Sequence, residues 1–460
     1  MQRLLLALVT LAAPPLAAQT TAFVGVNVIP MDSERVIADQ VVLVENGRIT
    51  AMGPTAATTI PAGTFTVDGR GKYLMPGLAE MHAHVPPQTT DPQLLADIMY
   101  LYVANGITTI RGMLGAPYQL ELREQLQSGE MLGPRFYVGA PSLNGNSVPD
   151  PATAARLMRE HKAAGYDLVK LHPGVSRAAY DSAVAVGRQV GITIAGHVPA
   201  DVGIRHAIET RLTTIDHLDG YIEGAVSDAM LARIASPTDQ VTLPEAWVDV
   251  TTERLRELAR ATRRAGIAVV PTMFLWENLW LPPEGEAIEQ RPEMRYVPMP
   301  WVNGWRNQMN NRINYNRSNN LDEGAIREML EKRRELLRIL QQEGVSILMG
   351  TDSPQLLNVP GFALHHEIRV MVESGLTPYQ VLVSGTTNVR DYVRNVLRQP
   401  AEFGTVAVGQ QADLVLLDGN PLESIDNLTR RSGVMVRGKW IPASELTAGL
   451  EEMARRRGRQ

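Results

Sequence analysis

Apolar residues from Ala22 to about Tyr73 come in short β-branched runs. "TAFVGVNVIPM", "VVLVENGRITAMG" and "GTFTVDGRGKYL" are cut by Asn-Gly and Gly turns, so this region reads as strands without helices. Similar runs return near the other end in "GTVAVGQQADLVLLDGNPL" and "SGVMVRGKWIP". Two β pieces at opposite ends of one chain predict a single small sheet domain, a composite β-sandwich over residues 19–75 and 398–445. Between them the pattern alternates. Eight strand candidates end in "GLAEMHAH", "GITTIRGM", "PRFYVGA", "YDLVKLH", "GITIAGH", "LTTIDH", "GIAVVPTM" and "GVSILMGTD". Most are followed by an amphipathic helical stretch, several of which stop at Gly. The alternation predicts an α/β fold, a distorted (β/α)₈ TIM-like barrel over residues 76–397. A doubly wound open sheet is the alternative; it fits less well because no Gly-rich phosphate fingerprint follows the first strand.

One segment, about residues 274–320 between the seventh and eighth strands, breaks the rhythm. It holds Trp276, Trp280, Trp301 and Trp305, four of the six tryptophans. Long loops on such barrels project from the face that carries active sites. The aromatics could wall a pocket as a lid, pack the insertion onto the barrel, or form a subunit interface. Residues 446–460 read as a C-terminal basic helix or tail, and "EEMARRRGRQ" as a solvated helix end.

Composition narrows the chemistry. With 44% hydrophobic and 20% charged residues, the chain is of globular type. A net charge of -5 offers no basic surplus for nucleic acid. There is no cysteine, which excludes disulfides, thiolate nucleophiles and thiolate metal sites. Residues 1–18 show Arg3, an apolar run from Leu4 to Ala13, and "LAA" before Gln19, the pattern of a secretory signal. That run is too short to span a bilayer, so no stable membrane anchor is expected after cleavage. Export without cysteine points to a bacterial periplasm.

Candidate ligands cluster at strand ends. His82 and His84 lie two residues apart on the first barrel strand and so face the same side. Alone, such a pair is equally a surface feature. His197, His217 and Asp352 end the fifth, sixth and eighth strands. A polar residue closing an apolar strand is costly unless bonded or ligated, and on a barrel these ends form one ring. Lys170, in "YDLVKLH", joins them, with His172 on the same face. Four imidazoles and one aspartate would leave two divalent ions under-coordinated and unbridged. A lysine that has reacted with CO₂ is an anionic carbamate and supplies the bridge.

In these motifs the chain resembles the amidohydrolase superfamily. The matching pieces are "LMPGLAEMHAH", "NGITTIRG", "YDLVKLH", "AGHVP", "IDHLDG", "MGTDSP", "HHEIRVMVESGLTP" and "FGTVAVGQQADLVLLDGNPLESI". They cover essentially the whole chain after residue 18, and are most similar to the exported prolidase-like and imidazolonepropionase-related branch. The resemblance implies two divalent metal ions, zinc first, with manganese, cobalt or nickel also suited. It implies that His82, His84 and Asp352 hold one ion and His197 and His217 the other, with carbamylated Lys170 bridging them. It further implies attack by a metal-bridging hydroxide on an amide carbonyl, with Asp352 as proton shuttle. The implied substrate is a small amide, a dipeptide or an N-acyl amino acid, handled by a homo-oligomer. His172 and Tyr221 are candidate substrate contacts. A lactonase or carboxylesterase, a cyclic-amide hydrolase and a non-catalytic scaffold are the alternatives. Two positions depart from the family pattern: Glu80 stands where Asp is usual, and Gly112 likewise.

Overall fold

The computed structural model describes residues 20–86, 91–236, 238–239, 241–283, 285–288 and 290–458; the signal-like stretch 1–18 lies outside them. The first strands are β1 (Thr21–Val28), β2 (Ile37–Glu45), β3 (Arg48–Pro54), β4 (Phe65–Asp68) and β5 (Tyr73–Pro76). Then come β6 (Leu78–Ala83), β7 (Ile107–Gly112), β8 (Arg135–Leu143), β9 (Leu168–Leu171), β10 (Thr193–Gly196), β11 (Thr214–Asp216), β12 (Ala268–Val270) and β13 (Ser346–Ile347). The last are β14 (Leu414–Leu417), β15 (Arg431–Val436) and β16 (Lys439–Pro442).

The two chain ends build one mixed sheet in the order β16-β15-β14-β5-β1-β2-β3, with β4 also paired to β1. The expected sandwich is this single sheet folded over its own core. Phe23 on β1 meets Trp440 on β16 edge to face at 5.2 Å, although three strands separate them in the sheet. Asn46-Gly47 and Arg437-Gly438 close two-residue hairpins with both residues at positive φ, the twist that suits such turns. The two turns also pack on each other: a Cβ on Gly438 would lie 2.5 Å from Gly47 Cα, so only glycine fits.

Strands β6 to β13 form the second sheet in strict sequence order, all parallel. β13 is only two residues long, but the chain after it runs on beside β6 and closes the barrel. Met81 N donates to Met349 O at 2.8 Å, Asp352 N to His82 O at 2.9 Å and His84 N to Ser353 O at 2.7 Å. Closure thus brings the first and last candidate ligands together through backbone bonds. The outer helices follow from local signals. Arg177–Val190, for example, starts at Ser176, whose hydroxyl accepts from Ala179 N, and stops at Gly191 in left-handed conformation. It buries Ala179, Tyr180, Ala183 and Val186 on one face.

The Trp-rich insertion follows one of the readings left open, and the C-terminal tail differs from expectation. The Trp-rich insertion is largely helical, with helices Met273–Trp280 and Met299–Ser318. Trp280 and Trp305 are 5% and 6% exposed, and Trp305 packs with Met294, Val302, Leu357 and Met453. These two indoles therefore fasten the insertion to the barrel and to the C-terminal helix Ala443–Arg456 rather than line a pocket. The C-terminal arginines are not a solvated end. Asp97 is buried, and Arg456 and Arg457 reach it at 2.6 and 2.7 Å, because a buried carboxylate requires cationic partners.

Candidate metal centre

Each candidate ligand stands at the end of a barrel strand that points to the same mouth. β6 is buried along its whole length, and His82 on it has no exposed surface. His84 follows two residues later, its side chain 22% exposed. Lys170 is wholly buried on β9. His197 follows β10, His217 follows β11, and Asp352 lies beyond β13. His217 and Asp352 adopt left-handed backbone conformations, φ 62° and 65°. Non-glycine residues hold that conformation only where their surroundings impose it, and such strain gathers at functional sites. Room for Lys170 comes from Gly196, which has φ 123°; a Cβ there would lie 2.7 Å from Leu171 O and 2.9 Å from Lys170 Cδ.

The imidazoles form one row. Ring centroids are 5.4 Å apart for His84 and His82, 4.6 Å for His82 and His217, 4.6 Å for His217 and His197, and 5.2 Å for His197 and His172. Asp352 lies beside the row: Oδ1 is 2.8 Å from His84 Nε2 and 3.5 Å from His82 Nε2, and Oδ2 is 3.7 Å from His217 Nε2. Lys170 Nζ is 2.8 Å from His82 Nε2. Ligand atoms of His82, His217 and Asp352 fall within 4.8 Å of one another.

The opposite ring nitrogens are held from outside. His82 Nδ1 is 2.7 Å from Asp216 Oδ2, His197 Nδ1 2.7 Å from Asp219 Oδ2, and His217 Nδ1 2.9 Å from Thr272 Oγ1. Outer partners of this kind fix the ring orientation and leave Nε2 for a metal. Asp216 in turn accepts from Thr214 Oγ1 at 2.6 Å and from Arg111 Nη2 at 3.2 Å. Arg111 Nε donates to Met81 O at 2.7 Å, and its Nη1 to Tyr392 Oη at 3.1 Å. Glu80 ties the two ligand-bearing segments together. Its carboxylate accepts from His82 N at 2.8 Å and Thr351 N at 2.9 Å, and lies 2.6 Å from Thr351 Oγ1. Arg333, fully buried, donates to His217 O at 2.9 Å and lies 3.9 Å under the Trp276 ring.

Electrostatics favours neutral bases and an ionised acid. Burial, with Lys170 adding to it, pushes His82 down to about 3. Burial and the neighbouring His82 and His197 rings hold His217 well below its usual range. Burial pushes Asp352 up, but His82, His84 and His217 outweigh it and hold the carboxyl well below the usual range. Burial also lowers Lys170, although Asp216 and Asp352 oppose this. His84 Nε2, His217 Nε2 and Asp352 Oδ1 are buried with no aligned hydrogen-bond partner. Inward-aimed imidazole nitrogens and an ionised carboxylate, gathered without an aligned hydrogen bond, are a donor set that fits divalent cations.

The structure brings His82, His84, Lys170, His172, His197, His217 and Asp352 to one mouth. It does not bring Tyr221. That ring starts the helix Tyr221–Ala225, is fully buried, and its hydroxyl lies 2.8 Å from Thr262 Oγ1 on the neighbouring helix. The residue packs helix against helix, so it makes no substrate contact. His365, His366 and Glu367 serve the fold: Glu367 accepts from Met273 N and Phe274 N, and His366 stacks on Phe274 at 4.5 Å. Sequence reasoning missed Asp216, Asp219, Thr272, Arg111 and Arg333. A signal existed for the first two, carboxylates flanking His217, and for Arg111, the one charge in the apolar run "ITTIRG". Arg333 had none, since it sits in an ordinary charged helical stretch.

Comparison with known proteins agrees with this geometry. An adenine deaminase of Nitratidesulfovibrio vulgaris is 28% identical over 174 residues, which cover 33% of this chain and 30% of that protein. The chain thus spans only about a third of the length of that relative. Among solved structures, a bottromycin amidohydrolase superposes with a TM-score of 0.71 at 22% identity, over 96% of this chain and 91% of that one. A Xaa-Pro dipeptidase with bound methionine in its active site gives 0.65 at 18% identity, over 92% and 100%. The sequence profile of the Amidohydrolase family matches residues 73–441, from β5 through β16, and takes in every strand end that carries a ligand. On that match this chain belongs to the Amidohydrolase family.

Proposed function

We propose that this chain is a metal-dependent hydrolase that cleaves a C–N amide bond, with a dipeptide or an N-acyl amino acid as substrate. The observation that carries the reading is the set of buried, inward-facing ligand atoms gathered without an aligned hydrogen bond: His84 Nε2, His217 Nε2 and Asp352 Oδ1. Each such atom left unsatisfied costs about 1–3 kcal/mol, and bound cations remove that cost together. His82, His84 and Asp352 would hold one divalent ion, and His197 and His217 a second. Zinc is the first candidate, with manganese, cobalt and nickel compatible. When bound, such ions polarise a substrate carbonyl and lower the pKa of a water.

Lys170 fits a carbamate bridge. Its amine is wholly buried, touches His82 Nε2 at 2.8 Å and has no carboxylate within ion-pairing distance among the described residues. The neutral amine, favoured by burial, adds to CO₂ and releases a proton. Asp352, kept ionised at the mouth, would take a proton and pass it to the leaving amine. His172, half-buried at the end of the imidazole row, would orient the substrate. Export, supported by the pattern of residues 1–18, completes the proposal; N-terminal sequencing of the exported product should begin at Gln19.

The test is a panel of dipeptides, N-acyl amino acids and matched amide–ester pairs on metal-loaded and chelator-treated protein. Amide hydrolysis should vanish with chelation and return with zinc or manganese. Hydrolysis of esters alone, or turnover indifferent to chelation, would overturn the reading. Lys170→Ala should lose most activity and regain part of it with short carboxylic acids. Full activity in that variant would remove the carbamate.

A further inference from the structure

At the opposite end of the barrel, where β9 to β12 begin, lies a cleft of about 670 Å³. Its size is that of a small-molecule site. One wall is the turn Val393–Leu397, of π-helical form, together with Arg398 and Gln399. The lining is apolar at Val184, Ile192, Leu212, Ile267, Val396 and Leu397. Four cations, Lys162, Arg188, Arg211 and Arg398, also line it, all solvent-exposed.

The charge in this cleft is unbalanced. Its one carboxylate, Asp167, is already engaged, accepting from Val138 N at 2.6 Å, Gln399 Nε2 at 2.5 Å and Arg123 Nη1 at 3.3 Å. Arg188 is bonded to a carbonyl, Thr210 O, at 2.6 Å. Lys162, Arg211 and Arg398 make no side-chain hydrogen bond or ion pair among the described residues. Backbone conformation adds an independent point. Arg211 and Arg398 follow the ends of helical segments at φ 53° and 57°, left-handed conformations that glycine adopts freely. Gly191 and Gly266, which end two other helices along the same cleft, have φ 74° and 72°. The chain therefore places two arginines where glycine would be the unstrained choice, and both border the same apolar cavity.

We propose that this cleft binds an organic anion with an apolar body, of the medium-chain carboxylate class, at a site separate from the metal centre. The apolar walls take the hydrocarbon part, and Arg211, Arg398 and Lys162 take the carboxylate. A half-open cleft of this volume, with apolar walls and a cationic rim, suits a small molecule better than a flat macromolecular surface does.

The test is calorimetric titration of the full chain with decanoate, with decan-1-ol and acetate as controls. The probe variants are Arg211→Gly, Arg398→Gly and the double variant. Glycine relieves the left-handed conformation, so these proteins fold with an unchanged or raised thermal midpoint, and hydrolase activity stays unchanged. Decanoate should bind saturably, one molecule per chain, with affinity falling about tenfold or more in the double variant. Decanol and acetate should both bind far more weakly. Equal decanoate affinity in the double variant, or decanol binding as tight as decanoate, would overturn the proposal. So would absence of saturable binding together with concentration-dependent mass in sedimentation, the sign that a second copy of the chain fills the cleft.

Discussion

The sharpest perturbation is Asp216→Asn. Asp216 is fully buried and serves three groups at once: His82 Nδ1 at 2.7 Å, Arg111 Nη2 at 3.2 Å and Thr214 Oγ1 at 2.6 Å. Arg111 and His82 both use Oδ2 and Thr214 uses Oδ1; asparagine keeps the shape but has no charge, and its one accepting oxygen cannot stand at both places. Two losses follow, and they are read separately. Leaving the Arg111 guanidinium without its buried counter-ion should cost about 3–5 kcal/mol in urea unfolding at neutral pH. Removing the carboxylate charge behind the His82 ring should weaken metal binding about 10–100-fold, or about 1.4–2.8 kcal/mol, in competition against a calibrated chelator. Asp219→Asn is the internal control. Asp219 orients His197 at the same distance, but its side chain is 23% exposed. Its loss should cost about 1 kcal/mol of stability or less, while affecting metal affinity similarly. If Asp216→Asn loses under about 1 kcal/mol and binds metal as tightly as the parent, the reasoning is refuted. Asp216 would then neither balance Arg111 nor orient His82.

Gly196→Ala should destabilise the fold by at least the about 1–3 kcal/mol of a forbidden backbone conformation, and it should push Lys170 from its place, since the new Cβ would sit 2.9 Å from Lys170 Cδ. Denaturant midpoints and metal content by elemental analysis measure both, and an unaltered midpoint would contradict the close approach. His365 tests the pH side. Burial first, and the Arg431 cation second, push it down to about 3, so the unfolded chain takes up a proton below its ordinary 6.5 while the native chain does not. The contribution of His365 to stability should therefore fall as pH drops from about 6.5 towards 3, at about 1.4 kcal/mol per unit. His365→Gln removes that slope, and the stability difference between parent and variant should shrink by about 2 kcal/mol between pH 7 and pH 5. A pH-independent difference would show that His365 titrates normally.

Chain pattern alone determined the alternation of strands and helices, the pairing of the two β ends and the strand-end positions of His82, His84, Lys170, His197, His217 and Asp352. These depend on periodicity and on turn residues such as Asn46-Gly47, which act between neighbours in sequence. Tertiary structure decided the rest. Which ring nitrogen of His217 faces inward depends on Thr272, 55 residues away, and its carbonyl is held by Arg333, 116 residues away. Tyr221 lay on a segment that could have faced the mouth, and contact with Thr262 turned it into the core. The Trp-rich insertion and the C-terminal arginines became structural because Met453 and Asp97 lay within reach once the barrel had closed. Residue type and period are local properties of a chain. The direction a side chain takes depends on which distant groups must be buried and satisfied with it, and those meet only in the folded molecule.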